Sequence, residues 1–132
     1  MKKIIALLLF IPLTITAAPT NTQITEFFWS APTVNIDQTP LTDLAGFKVY
    51  CRTETTNYPP QGFDVPDPNA RTLAIDAVVD MLIEEKYYCT VTAYDRDGNE
   101  GPYGPETNFL VMAGTAHLSV TVPAAVPVFG VR

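Results

Sequence analysis

The sequence predicts an all-β protein, a two-sheet antiparallel sandwich, and three observations carry that expectation. Short runs in which apolar and polar residues alternate recur from Thr25 onward, the period-2 pattern of strands with one buried face. Prolines and Asp/Gly/Asn clusters punctuate those runs. Two of them, Gly46–Cys51 and Tyr87–Asp95, each place a cysteine on the apolar face of the alternation, Cys51 in one and Cys89 in the other.

The elements follow in order. Lys2 and Lys3 precede an unbroken apolar run from Ile4 to Ile11, then Pro12 and the small residues Ala17 and Ala18. That is the layout of a secretory signal peptide over residues 1–17. The run is well short of the roughly 20 apolar residues needed to cross a bilayer, so the mature chain is predicted to be secreted or periplasmic, with no stable membrane span. Thr25, Phe27 and Trp29 share a face of a first strand that Ala31-Pro32 closes. A long polar connection, Thr33 to Asp43, leads to the strand carrying Phe47, Val49 and Cys51. A weaker strand, Gly62 to Val65, ends at Pro66 and Pro68, since a proline would remove a ladder donor. Leu73 to Ile75 reads as another strand, whereas Asp76 to Glu85 fits helix and strand equally. Tyr87 to Tyr94 is the clearest strand of all. It runs into Asp95-Arg96-Asp97-Gly98-Asn99-Glu100, whose Asp-Gly favours a tight hairpin, and Asn108 to Val111 returns.

Without the leader, 115 residues remain, one domain with its own core. Loss of Lys2 and Lys3 leaves six basic residues against fourteen acidic ones, a net charge of −8. Such a surface repels phosphate backbones and anionic headgroups, which argues against nucleic-acid and membrane-surface partners.

Several motifs then occur together and in order: Trp29-Ser30-Ala31-Pro32-Thr33; Thr39 to Tyr50, with its Leu-Ala-Gly-Phe lead-in at Leu44–Phe47; Tyr87-Tyr88-Cys89-Thr90-Val91-Thr92-Ala93-Tyr94-Asp95; and Gly98-Asn99-Glu100. Over residues 22–112 the chain resembles a fibronectin type III domain of the bacterial secreted type. The resemblance implies an immunoglobulin-like, seven-stranded sandwich with Trp29, Phe47, Val49, Tyr87 and Val91 in its core. Tyr87 would be the tyrosine of the corner found in such sandwiches, and Met81 stands where the family usually has leucine. Ile83-Glu84-Glu85-Lys86 departs from the family's proline-glycine turn. Residues 113–132 fall outside the resemblance, as a C-terminal strand-like extension. In the family's topology the third and sixth strands are antiparallel neighbours, which implies that Cys51 and Cys89 face inward together and form a disulfide in an exported chain; two buried thiols are the alternative.

Candidate chemistry is sparse. Ser30 and Ser119 are the serines of the mature chain and His117 its histidine, too few for a triad in one pocket. No His/Cys set has zinc spacing, no cofactor-binding motif occurs, and no catalysis is expected. The carboxylates Glu84-Glu85 and Asp64-Asp67 could serve a glycosidase in principle but read as solvated loops. Asp95, Asp97, Asn99 and Glu100 form an incomplete calcium pattern, for which a plain turn is the simpler reading. Tyr50, Tyr88 and Tyr94 are predicted to alternate outward as a strip able to stack on sugars or pack on a partner. These readings favour an exported binding or adhesion module for a protein or polysaccharide. The alternatives are a structural subunit, self-associating through an edge strand within Thr115–Val122, and an accessory part of a secreted hydrolase.

Overall fold

The computed structural model describes residues 23–118 and 129–132. The leader over residues 1–17 lies outside the described residues, as does the part of the tail alternation from Ser119 to Val122. The described chain is all-β, apart from one turn of 3-10 helix at Ile75–Ala77. Its strands are β1 (Gln23–Ile24), β2 (Glu26–Trp29), β3 (Leu44–Arg52), β4 (Phe63–Val65), β5 (Thr72–Ala74), β6 (Lys86–Asp95), β7 (Thr107–Met112), β8 (Thr115–His117) and β9 (Phe129–Val131). They form two antiparallel sheets, ordered β1-β8-β7-β6-β3-β4 and β5-β2-β9. No helix among the described residues is long and apolar enough to cross a membrane.

The long ladder between β3 and β6 sets the register of the larger sheet. Phe47 lies opposite Ala93, Val49 opposite Val91 and Cys51 opposite Cys89. The pleat sends all six to the inner face. Phe47, Val49 and Cys89 are buried; Val91, Ala93 and Cys51 are partly so. A bulge between Leu44 and Gly46 starts the ladder. Gly46 is required there because a Cβ would sit 2.5 Å from the Val65 carbonyl oxygen and 2.6 Å from the Tyr94 hydroxyl.

Across the sandwich, β2 supplies Phe27 and Trp29. Phe27 meets Phe109 edge-on at 5.8 Å between centroids, and Trp29 tilts against Phe47 at 5.3 Å. Ile24, Ile75 and Val111 complete a core in which each fully buried large side chain contributes about 1.5–3 kcal/mol. Tyr87 stacks on Phe109 at 5.8 Å, but its hydroxyl bonds no other described residue. It acts there as a packing ring. The ambiguous stretch after Ile75 is mostly turn. Ile75 and Val79 point into the core, the Asp80 carboxylate accepts the Leu82 N–H at 2.9 Å, and Leu82 and Ile83 are exposed.

The tail corrects the expected boundary. Ala113 and Gly114 take φ of 51° and 77°, the left-handed pair of a two-residue type I′ hairpin, and the hairpin returns β8 along β7. On its other side β8 pairs with β1, so Thr115–His117 has no free edge for another subunit. Strand β9 pairs with β2, Val131 opposite Phe27, and the Arg132 guanidinium reaches the Glu26 carboxylate at 2.8 Å. Ala116 and Val131 belong to the core cluster. Residues 113–132 therefore contribute strands to both sheets, and the sandwich does not end near Val111. Alternation alone could not distinguish a strand that closes its own domain from one that seeks a neighbour.

Cys51 and Cys89 form a disulfide, with Cα atoms 4.1 Å apart and 38 residues of separation. Closing a loop of that length stabilises folding by about 4 kcal/mol in the chain-entropy model. Non-reducing peptide mapping is expected to recover the Cys51–Cys89 pair, and replacing both cysteines by alanine is expected to cost a comparable amount in urea unfolding. An unchanged midpoint would refute that cost. Trp29→Ala is expected to destabilise by about 3–5 kcal/mol, because it empties a large site between the sheets; a loss under 1 kcal/mol would contradict the packing of Trp29 on Phe47.

Candidate functional site

Two regions gather chemistry. One is the outer face of the β3–β6 ladder, where Lys48, Tyr50 and Arg52 alternate outward beside Tyr88, Thr90, Thr92 and Tyr94. Tyr50, Tyr88 and Tyr94 share that face as the alternation predicts, but they do not form an open strip. Tyr50 is only 4 % exposed, since the rings of Tyr58 and Tyr103 close over it at 6.4 and 5.2 Å. Tyr88 and Tyr94 are half-buried. Tyr103, 54 % exposed, is the ring most open to solvent. Tyr58 and Tyr103 lie in Pro-rich loops without periodicity, so strand alternation could not find them; the hint was an aromatic beside proline in each loop, Tyr58-Pro59 and Pro102-Tyr103.

Four phenols on this face are committed to carboxylates. Tyr50 donates to Glu100 and Tyr58 to Glu106; Tyr88 donates to Glu54 at 2.9 Å and Tyr94 to Asp64 at 2.7 Å. Arg52 grips both oxygens of Glu106, at 3.0 and 3.2 Å, while its guanidinium lies over the Tyr88 ring at 4.6 Å. Glu100 also accepts from Thr92 at 2.6 Å and pairs with Lys48 at 3.4 Å. The arrangement pins the loops after β3 and after β6 onto the sheet, and it leaves few polar groups free to receive a ligand.

The second region is a cavity of about 700 Å³ at the end of the sandwich, between the β2–β3 and β6–β7 connections. Its floor is the inner face where the smaller sheet no longer covers it: Leu44, Phe47, Val91 and Ala93. The expected core residue Val91 is only half-buried for this reason. One wall is the stretch expected as a long polar connection, which instead folds back on itself. Val34 bridges Pro40, the Asn35 N–H donates to the Thr39 carbonyl at 2.8 Å, and the Leu41 N–H to Thr33 at 3.0 Å. The Asp37 carboxylate accepts from both the Thr39 hydroxyl and its N–H. Such an Asx-type turn rigidifies the tip. The hairpin holds Ile36 out in solvent, 81 % exposed, with Val34 at 44 %.

The opposite wall carries the turn Asp95–Glu100, whose incomplete calcium pattern is tied up by its own hydrogen bonds. Asp95 accepts the N–H groups of Asp97 and Asn99 at 3.0 and 2.9 Å and the Asn99 side-chain amide at 2.9 Å. Gly98 supplies φ of 85°. The Asn99 amide nitrogen is thus held by Asp95, and the Glu100 carboxylate turns to Tyr50. Asp95 and Asp97 instead meet Asp43, with carboxylate oxygens within 4.8 Å of one another. The hydrogen bonds from Asn99 hold the Asp95 carboxyl below the usual range, and those from Thr39 do the same for Asp37.

Among the other titratable candidates, His117 lies on β8 with Nε2 2.6 Å from the Thr115 hydroxyl, while Ser30 lines the cavity and Ser119 lies outside the described residues. Glu84 accepts the Ala113 N–H at 3.2 Å, and Asp67 the Asn69 N–H at 2.8 Å.

The Tyr50–Glu100 pair has a distinctive pH signature. Burial, then the Glu100 hydrogen bond and charge, push Tyr50 from an ordinary 10.0 up to about 12. Partial burial pushes the Glu100 carboxyl up, but bonds from Thr92 and Tyr50 and the Lys48 charge outweigh it and hold it below the ordinary 4.5. The raised phenol contributes stability that is full below pH 10 and lost as pH rises through about 12; the lowered carboxyl contributes stability present above about 4.5 and lost as pH falls through its folded value. Glu100→Gln is expected to cost about 1–2 kcal/mol at pH 7, and the difference from wild type should shrink in acid as the native carboxyl protonates. Absorbance at 295 nm should show the Tyr50 step, identified with Tyr50→Phe, near pH 12. A step near 10, or an acid-independent Glu100→Gln cost, would refute the pairing.

No family model matches the chain, nor does any curated protein or solved structure.

Proposed function

We propose that the chain is an exported, non-catalytic binding module of the fibronectin type III kind, engaging a protein partner through the apolar cavity at the end of its sandwich. The family reading rests on the ordered motifs around Trp29, Leu44–Tyr50 and Tyr87–Asp95. The placement of those motifs on β2, β3 and β6 of an antiparallel sandwich agrees with it. Export rests on the signal-like leader and is supported by the disulfide, a bond of oxidising compartments. One observation carries the choice of surface. Inner-face side chains that a sandwich normally covers, Leu44, Val91 and Ala93, remain open in a cavity of about 700 Å³, in the size range of ligand pockets. A polysaccharide on the tyrosine face is the second reading, favoured by the exposed ring of Tyr103 beside Tyr58 at 5.1 Å.

The two surfaces separate in one experiment. The mature chain, immobilised and exposed to its native envelope fraction, is expected to retain a partner in the wild-type and Tyr103→Ala forms and to lose it in Ala93→Phe, which fills the cavity. Loss in Tyr103→Ala with retention in Ala93→Phe would transfer the function to the tyrosine face and overturn the proposal.

A further inference from the structure

The cavity's surroundings specify what it receives. Its floor is apolar, and beside it the Ile36 tip stands in solvent on a hairpin closed by its own hydrogen bonds. Exposed apolar surface on an internally hydrogen-bonded loop next to an open apolar cavity is covered at low ordering cost when a segment docks. The rim is acidic on both sides: Asp37 on the hairpin and Asp95 opposite, with Asp43 and Asp97 against Asp95. Among the described residues no salt bridge reaches Asp37, Asp43, Asp95 or Asp97. The volume of about 700 Å³ exceeds what one aliphatic side chain needs.

From this we infer that the cavity takes an exposed segment of a partner protein in which apolar side chains are flanked by lysine or arginine, the apolar residues seating on Leu44, Val91 and Ala93 and the cations meeting Asp37 and the Asp95 turn. The inference rests on the reading of the cavity as the binding site and adds the chemistry of the occupant. Complementary charge of this kind sets orientation and rejects wrong partners. A second copy fits poorly, because a two-fold contact places the same rim on both sides and sets carboxylate against carboxylate. A membrane surface fits poorly because its headgroups are anionic.

Isothermal titration of the oxidised mature chain with three acetylated, amidated pentapeptides tests the inference: Lys-Leu-Ile-Leu-Lys, Glu-Leu-Ile-Leu-Glu and Ser-Leu-Ile-Leu-Ser. The lysine peptide is expected to bind at least tenfold more tightly than the glutamate peptide, and to weaken several-fold between 50 and 500 mM NaCl. Asp37→Asn with Asp97→Asn should weaken the lysine peptide and leave the serine peptide unchanged. Ile36→Ser, at an exposed tip where folding is not at stake, should weaken all three. Equal binding of the lysine and glutamate peptides overturns the charge assignment while leaving the cavity as the site. Binding of the lysine peptide that survives both Ile36→Ser and Ala93→Phe removes the cavity itself. A concentration-dependent dimer by size exclusion that Ile36→Asp dissolves, together with failure of every peptide to bind, makes a second copy the occupant and overturns the inference.

Discussion

The ladder between β3 and β6 is the constraint on which the rest of the molecule depends. Its register places Phe47, Val49 and Cys51 opposite Ala93, Val91 and Cys89 on one side of the sheet, and by the same parity puts Lys48, Tyr50 and Arg52 with Tyr88, Thr90, Thr92 and Tyr94 on the other. A slip of one residue would exchange the two faces. It would turn the cysteines outward and put tyrosines and cations against Trp29. The disulfide sits within this ladder, so the covalent and hydrogen-bonded constraints act on the same register.

Both candidate surfaces are consequences of that ladder meeting unequal cover. On the outside, loops arrive carrying Tyr58, Tyr103 and the carboxylates of Glu54, Asp64, Glu100 and Glu106, and the hydroxyls of Tyr50, Tyr58, Tyr88 and Tyr94 each find an anion. Charge-assisted bonds of this sort are stronger than neutral ones. Within a shielded face they rigidify the loops they join, which makes the surface a brace and not an open platform. On the inside, the smaller sheet is shorter than the ladder it faces. Its strands cover Val49 and Cys89 but stop short of Val91 and Ala93, and the uncovered length is the cavity. A rigid floor with a rigid rim loses little entropy on binding, and this end of the sandwich has both.

The tail shows a different use of the same physics. A sheet edge invites pairing with other chains. Here the β7 edge is covered by β8, the next by β1, and the open side of β2 by β9. The final residues thus protect edges that would otherwise be exposed, and the Arg132–Glu26 contact fastens the last of them.

An all-β sandwich, the strands carrying Trp29, Phe47–Cys51 and Tyr87–Tyr94, and the two faces of those strands were legible in the residue pattern, because period-2 burial and turn chemistry are local properties that a linear pattern records. The pairing of Cys51 with Cys89 was legible only through a family's topology, which supplied the neighbouring strands. The rest is set by long-range contacts. Whether Tyr50 is open depends on loops that arrive from residues 58 and 103, whether Val91 is covered depends on how far the other sheet reaches, and whether Thr115–His117 is an edge depends on the distant strand at Gln23–Ile24. Each of these is a contact between segments far apart in the chain, and alternation states which face a residue occupies but never what lies upon it.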